Sequence, residues 1–160
     1  MGPAFCPDEE RKADEAYQRA LRYLGFRSRT QKEVEEYLRR KGFEAEAIEK
    51  AIEKLKGYGF IDDKDFASNW VNSRMRNNPK SRAAMALELR QKGVDAEIID
   101  EVMELVPREQ EEAVANRLAQ KYYERYREVD ERERMYKTAQ ALARRGFDWE
   151  LIERIIRRLM

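Results

Sequence analysis

Three observations predict an all-α fold of three tandem three-helix repeats stacked into an elongated, curved array. The sequence repeats itself three times, its apolar residues recur at helical spacing, and period-2 runs are missing. Residues 38–55, LRRKGFEAEAIEKAIEKL, align without a gap with 89–106, LRQKGVDAEIIDEVMELV, and with 142–159, LARRGFDWELIERIIRRL. Four columns are invariant: Leu38/Leu89/Leu142, Gly42/Gly93/Gly146, Glu46/Glu97/Glu150 and Ile48/Ile99/Ile152. A unit of this size buries little alone, so neighbours must stack.

In the first repeat a helix over roughly 13–24 turns Tyr17, Leu21 and Leu24 to one face. The second helix begins near Thr30, which with Glu33 has the spacing of a capping box. It ends in basic residues before Gly42, where a cation suits the helix dipole and a glycine suits the stop. The third carries Glu46 in its first turn and Ile48, Ile52 and Leu55 on one face.

The second repeat opens after Asp62-Asp63 with a helix containing Phe66, Trp70, Val71 and Met75. Asn78-Pro79 breaks the chain, and Ser81 occupies the position of Thr30. Gly93 stops that helix, and Asp95 reads as the N-cap of the next, whose face is Ile99, Met103 and Val106. The third repeat begins with a helix over roughly 108–127, with Val114, Leu118, Tyr122 and Tyr126 inward. Asp130 with Glu133 caps its second helix, Gly146 ends it, and Asp148 caps the last. The expected division is a flexible N-terminal segment at 1–12 and repeats at 13–60, 61–106 and 107–160.

Composition narrows the chemistry. The 160 residues hold 33 Lys plus Arg and 32 Asp plus Glu, a formal charge of +1, with 41% charged and 42% apolar residues. Such balanced, heavy charge suits solvated helices. Without histidine there is no Ser-His-Asp triad, Cys-His dyad or histidine metal ligand. The lone Cys6 makes no internal disulfide, which fits a reducing cytoplasm. No apolar run approaches the roughly 18 residues of a membrane span, and neither a catalytic nor a metal site nor a cofactor is expected. Asp62-Asp63 is the one conspicuous carboxylate pair, and its place before a helix makes N-capping its expected job.

The near-neutral total hides segregation. Residues 19–41 and 69–94 each carry a net +5, whereas 95–112 carry −7. First and second helices with their loops are therefore basic, and the third helices of repeats one and two are acidic. A basic stripe attracts phosphates or an acidic protein surface. One reading is a tandem helix-turn-helix-like nucleic-acid-binding protein, with the third helix in a major groove. Residues 95–106 hold five acidic residues and no basic one, so duplex phosphates repel that helix. A second reading, an interaction module lying along an extended partner, fits stacked repeats better.

The stretches ALRYLGFRSRTQKEVEEYLRRKGF (20–43), GYGFIDDKDFASNWVNSR (57–74) and LRQKGVD (89–95) resemble the RecX regulatory proteins of bacteria. The family opening is matched by Ala20, Leu21, Tyr23 and Leu24, and its Leu-x-x-Lys-Gly turn by Leu38, Lys41 and Gly42, then by Leu89, Lys92 and Gly93. Its Gly-x-x-Asp-Asp-x-x-Phe-Ala junction is matched by Gly59, Asp62, Asp63, Phe66 and Ala67. The match is looser over 107–160. The loop before the second helix of repeat two departs from the pattern, with Asn77-Asn78-Pro79 and Ala83-Ala84 where the family tends to have a glycine and a large aliphatic.

The resemblance implies a cytoplasmic, monomeric, non-enzymatic regulator. Its partners would be RecA and the filament RecA forms on single-stranded DNA. Binding in the filament groove would inhibit strand exchange, ATP hydrolysis and coprotease activity, and with them recombination, DNA repair and the SOS response. Weak direct DNA binding is a further expectation. The candidate partner contacts are Arg27, Arg29, Lys32, Arg39, Arg40, Arg74, Arg76, Lys80, Arg82, Arg144 and Arg145. Lys41 and Lys92 are read as partly structural, at helix ends.

Overall fold

A computed structural model describes residues 7–160. Among the described residues there are nine helices and no strand: α1 (Pro7–Leu24), α2 (Gln31–Arg40), α3 (Ala45–Gly57), α4 (Asp63–Asn77), α5 (Arg82–Gln91), α6 (Ala96–Met103), α7 (Arg108–Arg125), α8 (Glu131–Arg144) and α9 (Trp149–Leu159). The helices fall into three consecutive trios. No helix among the described residues is long and apolar enough to cross a membrane. The chain divides into two compact units, one of residues up to 68 with 90–98, the other of 69–89 with 99–160.

Helix starts follow the sequence chemistry. Thr30 accepts a hydrogen bond from the Glu33 N–H, and the Glu33 carboxylate accepts one from the Thr30 N–H, closing the capping box. Ser81 Oγ accepts from Ala84 N–H, Asp130 from Glu133 N–H and Asp148 from Leu151 N–H, at 2.8–3.1 Å. Asp62 caps α4 through the Asp65 N–H. The turns after the second helices, at Gly42, Gly93 and Gly146, all have φ between 84 and 90°, the left-handed conformation expected of a helix stop.

α1 corrects the sequence reading. It begins at Pro7, well ahead of residue 13, with Asp8, Glu9 and Glu10 in its first turn and Asp8 paired to Arg11 at 2.8 Å. Residues 7–12 are thus helical; the rest of the segment read as flexible, with Cys6, lies outside the described residues. Its buried face is Ala13, Ala16 and Ala20, while Tyr17, Leu21 and Leu24 pack only partly. Small side chains let α1 approach α3 closely, a role apolar periodicity in large residues does not reveal.

The core of the first unit joins Ala16, Ala20, Val34, Leu38, Ile48, Ala51, Ile52, Leu55 and Ile61. In the second unit Val114, Leu118, Leu142, Phe147, Leu151, Ile152 and Ile155 form the equivalent cluster, with Met75 and Tyr122 against its edge. The repeat columns Leu38, Leu89 and Leu142 are all fully buried. Burying such a leucine contributes about 2 kcal/mol.

Candidate partner-binding cations and the turns that position them

Two equivalent contacts fix the ends of the second helices. In the first unit Thr30 Oγ1 donates to Lys92 O at 2.6 Å, and the N–H of Gln31 donates to Asp63 Oδ1 at 2.9 Å. In the second unit the N–H of Ser81 donates to Arg145 O at 3.0 Å, and the N–H of Arg82 donates to Glu111 Oε1 at 2.9 Å. In both cases a Lys-Gly or Arg-Gly turn and an acidic residue of the following trio complete the N-terminus of an earlier second helix. Free N–H groups there need acceptors, and the carboxylates supplied by Asp63 and Glu111 also fit the helix dipole. Asp62 therefore caps as the sequence suggests, whereas its neighbour Asp63 caps a different helix.

Asp63 gives a pH prediction. Burial pushes its carboxyl above the ordinary 3.8; repulsion from Asp95 and Asp62 adds to this, while the Gln31 N–H and Lys56 oppose it. The folded chain then binds this proton more tightly than the unfolded one, so its contribution to stability falls as pH rises from 3.8 through the folded value. Asp63→Asn keeps an acceptor for Gln31 and removes the charge. Thermal melts should find it at least as stable as the parent at neutral pH, with the difference vanishing in acid. A variant that loses ground at neutral pH and recovers none in acid would contradict this account.

The predicted cations separate into two groups. The first is engaged within the fold. Arg145 donates from Nε to the Tyr122 hydroxyl at 2.9 Å and from Nη1 to Asn78 Oδ1 and Pro79 O. Arg74 and Lys80 both pair with Glu88, which also accepts from Trp70 Nε1 at 2.9 Å. Arg82 donates to Met103 O at 3.2 Å. The Arg29 guanidinium lies 4.0 Å over the Tyr23 ring, which stacks on Tyr37 at 3.9 Å. Arg27 pairs with Glu33 at 3.3 Å, and the Lys32 stem lies where a side chain at Gly93 would go. Lys92 pairs with Glu33 and Lys41 lies over Tyr37, in line with their structural reading.

The second group is solvent-exposed. Arg39, Arg40, Arg76 and Arg144 have no ion pair or hydrogen-bonded side-chain partner among the described residues. Arg90 joins them and was missed as a contact candidate, although it shares the column of Arg39. Each second helix thus ends in an exposed, uncompensated guanidinium: Arg39 and Arg40 on α2, Arg90 on α5, Arg144 on α8. Glu88 was missed as well. Burial pushes its carboxyl up, but hydrogen bonds from Lys80, Trp70 and Arg74 outweigh that and hold it below 4.5. Among the described residues no group of three His, Cys, Asp or Glu is arranged to hold a metal ion.

Comparison with known proteins places this arrangement. The RecX first, second and third three-helix domains match residues 16–55, 62–103 and 109–156 in order. The chain belongs to the RecX family. Regulatory protein RecX of Amycolatopsis mediterranei is 39% identical over 98% of this chain and 89% of its own length. RecX of Pelodictyon phaeoclathratiforme is 38% identical over 88% and 86%. The crystal structure of RecX from Lactobacillus salivarius superposes with a TM-score of 0.81 at 31% identity, covering 94% of this chain and 97% of that one. The all-α, three-repeat architecture is therefore that of the RecX family, whose named members are regulatory proteins.

Proposed function

We propose that this protein binds RecA and the RecA filament on single-stranded DNA. It inhibits recombinase, ATPase and coprotease activities by occupying the filament groove, with no chemistry of its own. It works in the cytoplasm as three repeats, the first opening with α1 at Pro7 and running to 60, the others bounded at 61–106 and 107–160. The observation that carries the reading is the exposed, uncompensated arginine ending the second helix of every trio. Repetition of positive charge in the last turn of each second helix suits a partner that itself repeats, and a filament groove offers both protein surface and phosphate. The acidic α6, whose first turn carries Glu97, supports a protein contact over insertion into duplex DNA. Inhibition then follows from differential affinity for one filament state.

The test is RecA ATP hydrolysis on single-stranded DNA with this protein titrated in. Changing Arg39, Arg40, Arg90 and Arg144 together to alanine removes four exposed charges at about 0.5 kcal/mol each. The half-inhibiting concentration should rise about thirtyfold. Inhibition unchanged in the quadruple variant would sink the proposal. Direct binding to single strands should weaken with salt at about −0.7 in log–log slope per phosphate contact. Tight duplex binding at moderate salt would instead favour a helix-turn-helix-like nucleic-acid binder.

A further inference from the structure

Twice in this chain a turn ending in a basic residue and glycine seats on the N-terminus of a second helix from the preceding trio. Lys92-Gly93 seats on Thr30, and Lys92 pairs with Glu33 at 3.6 Å. Arg145-Gly146 seats on Ser81. The same two parts occur once more without each other. The Lys41-Gly42 turn of the first trio is exposed, and nothing lies within 4 Å of where a Gly42 side chain would begin. The α8 N-terminus, Asp130 to Glu133, receives no turn, and the Asp130 N–H donates no hydrogen bond among the described residues.

The two free parts match. Residues 130–133, Asp-Glu-Arg-Glu, parallel residues 30–33, Thr-Gln-Lys-Glu, so Arg132 stands for Lys32 and Glu133 for Glu33. Asp130 already accepts from the Glu133 N–H as Thr30 does from Glu33. An aspartate donates no hydroxyl proton, so the contact would take the form of the second unit, a backbone N–H to the carbonyl of the basic residue. Arg40 and Lys41 would face Glu131 and Glu133, which are exposed, Glu133 pairing along its own helix with Lys137 at 3.0 Å and open to a second cation as Glu33 is to Arg27 and Lys92. We propose that two copies of this chain join head to tail, the Lys41-Gly42 turn of one seating on the α8 N-terminus of the other and Lys41 pairing with Glu133. The interface is heterologous, so association continues from copy to copy into a ring or an open chain. A single seat of this kind is weak, and a monomer prevails at dilution.

Sedimentation equilibrium on the 160-residue chain in low salt tests this without RecA, so its failure is distinct from failure of the proposed function. Weight-average mass should climb with concentration past twice the 19.1 kDa monomer at millimolar chain. The pairs Arg40→Glu with Lys41→Glu, and Glu131→Lys with Glu133→Lys, alter exposed residues on opposite parts; circular dichroism and melting would check that both variants fold. Each should stay monomeric alone. Mixed, they should regain association, because the intact turn of one meets the intact helix end of the other. A wild-type mass constant to millimolar chain, association by either variant alone, or no recovery on mixing overturns the proposal.

Discussion

Replacing Gly146 with alanine should destabilise the fold by about 3 kcal/mol, whereas the same change at Gly42 should cost about 1 kcal/mol. The two glycines share a column of the repeat and nearly the same backbone, φ 88° and 90°. A left-handed residue with a side chain loses about 1 kcal/mol at either place. At Gly146 the new methyl would also lie 2.6 Å from Ser81 Oγ and 2.7 Å from Ala84 Cβ, far inside contact distance. Ser81 is buried and its hydroxyl caps α5, so it has little room to yield; overpacking adds about 2 kcal/mol. At Gly42 nothing lies within 4 Å. Urea denaturation of the two variants measures the contrast directly. Equal losses would show that the turn after α8 does not seat tightly on α5.

Glu88→Ala should cost about 2 kcal/mol at neutral pH. Three donors lose their acceptor at once: Trp70 Nε1, Arg74 Nε and Lys80 Nζ. The carboxylate is only 17% exposed and its two cations under a third, so water replaces the lost bonds poorly. Glu88→Gln keeps an acceptor without the charge and should fall between the parent and alanine. Because the folded carboxyl sits below 4.5, its pairing stabilises fully above that pH and is lost as pH falls through the folded value. Denaturation at neutral and at acid pH should therefore show the gap between the parent and Glu88→Gln closing in acid. A gap that widens in acid would refute the charge pairing.

Much of the fold is readable from residue types because each signal is local. Thr30, Asp130 and Asp148 cap the helices their spacing names, and Gly42, Gly93 and Gly146 stop theirs. What escapes is set by residues far apart in sequence. Glu88 and Arg74 lie on different helices, so a run of cations reads as a free basic stripe although Arg74, Lys80 and Arg145 are turned into the fold. The capping of α2 by Asp63 spans 32 positions. The alanine face of α1 is hidden because alanine marks close approach, not bulk. Arg90, by contrast, was legible: the column that holds Arg39 points to it, and only a count of charges by segment obscured it.

The seating of Lys92 on Thr30 has a bearing on biogenesis. A ribosome delivers the chain from its amino end, so α2 emerges long before the carbonyl and carboxylate that finish it. The nascent first trio must wait for Asp63 to meet the Gln31 N–H, and then for the Lys92 carbonyl to meet the Thr30 hydroxyl, as each clears the exit tunnel. The N-termini of α2 and α5 are thus each completed by residues translated after them.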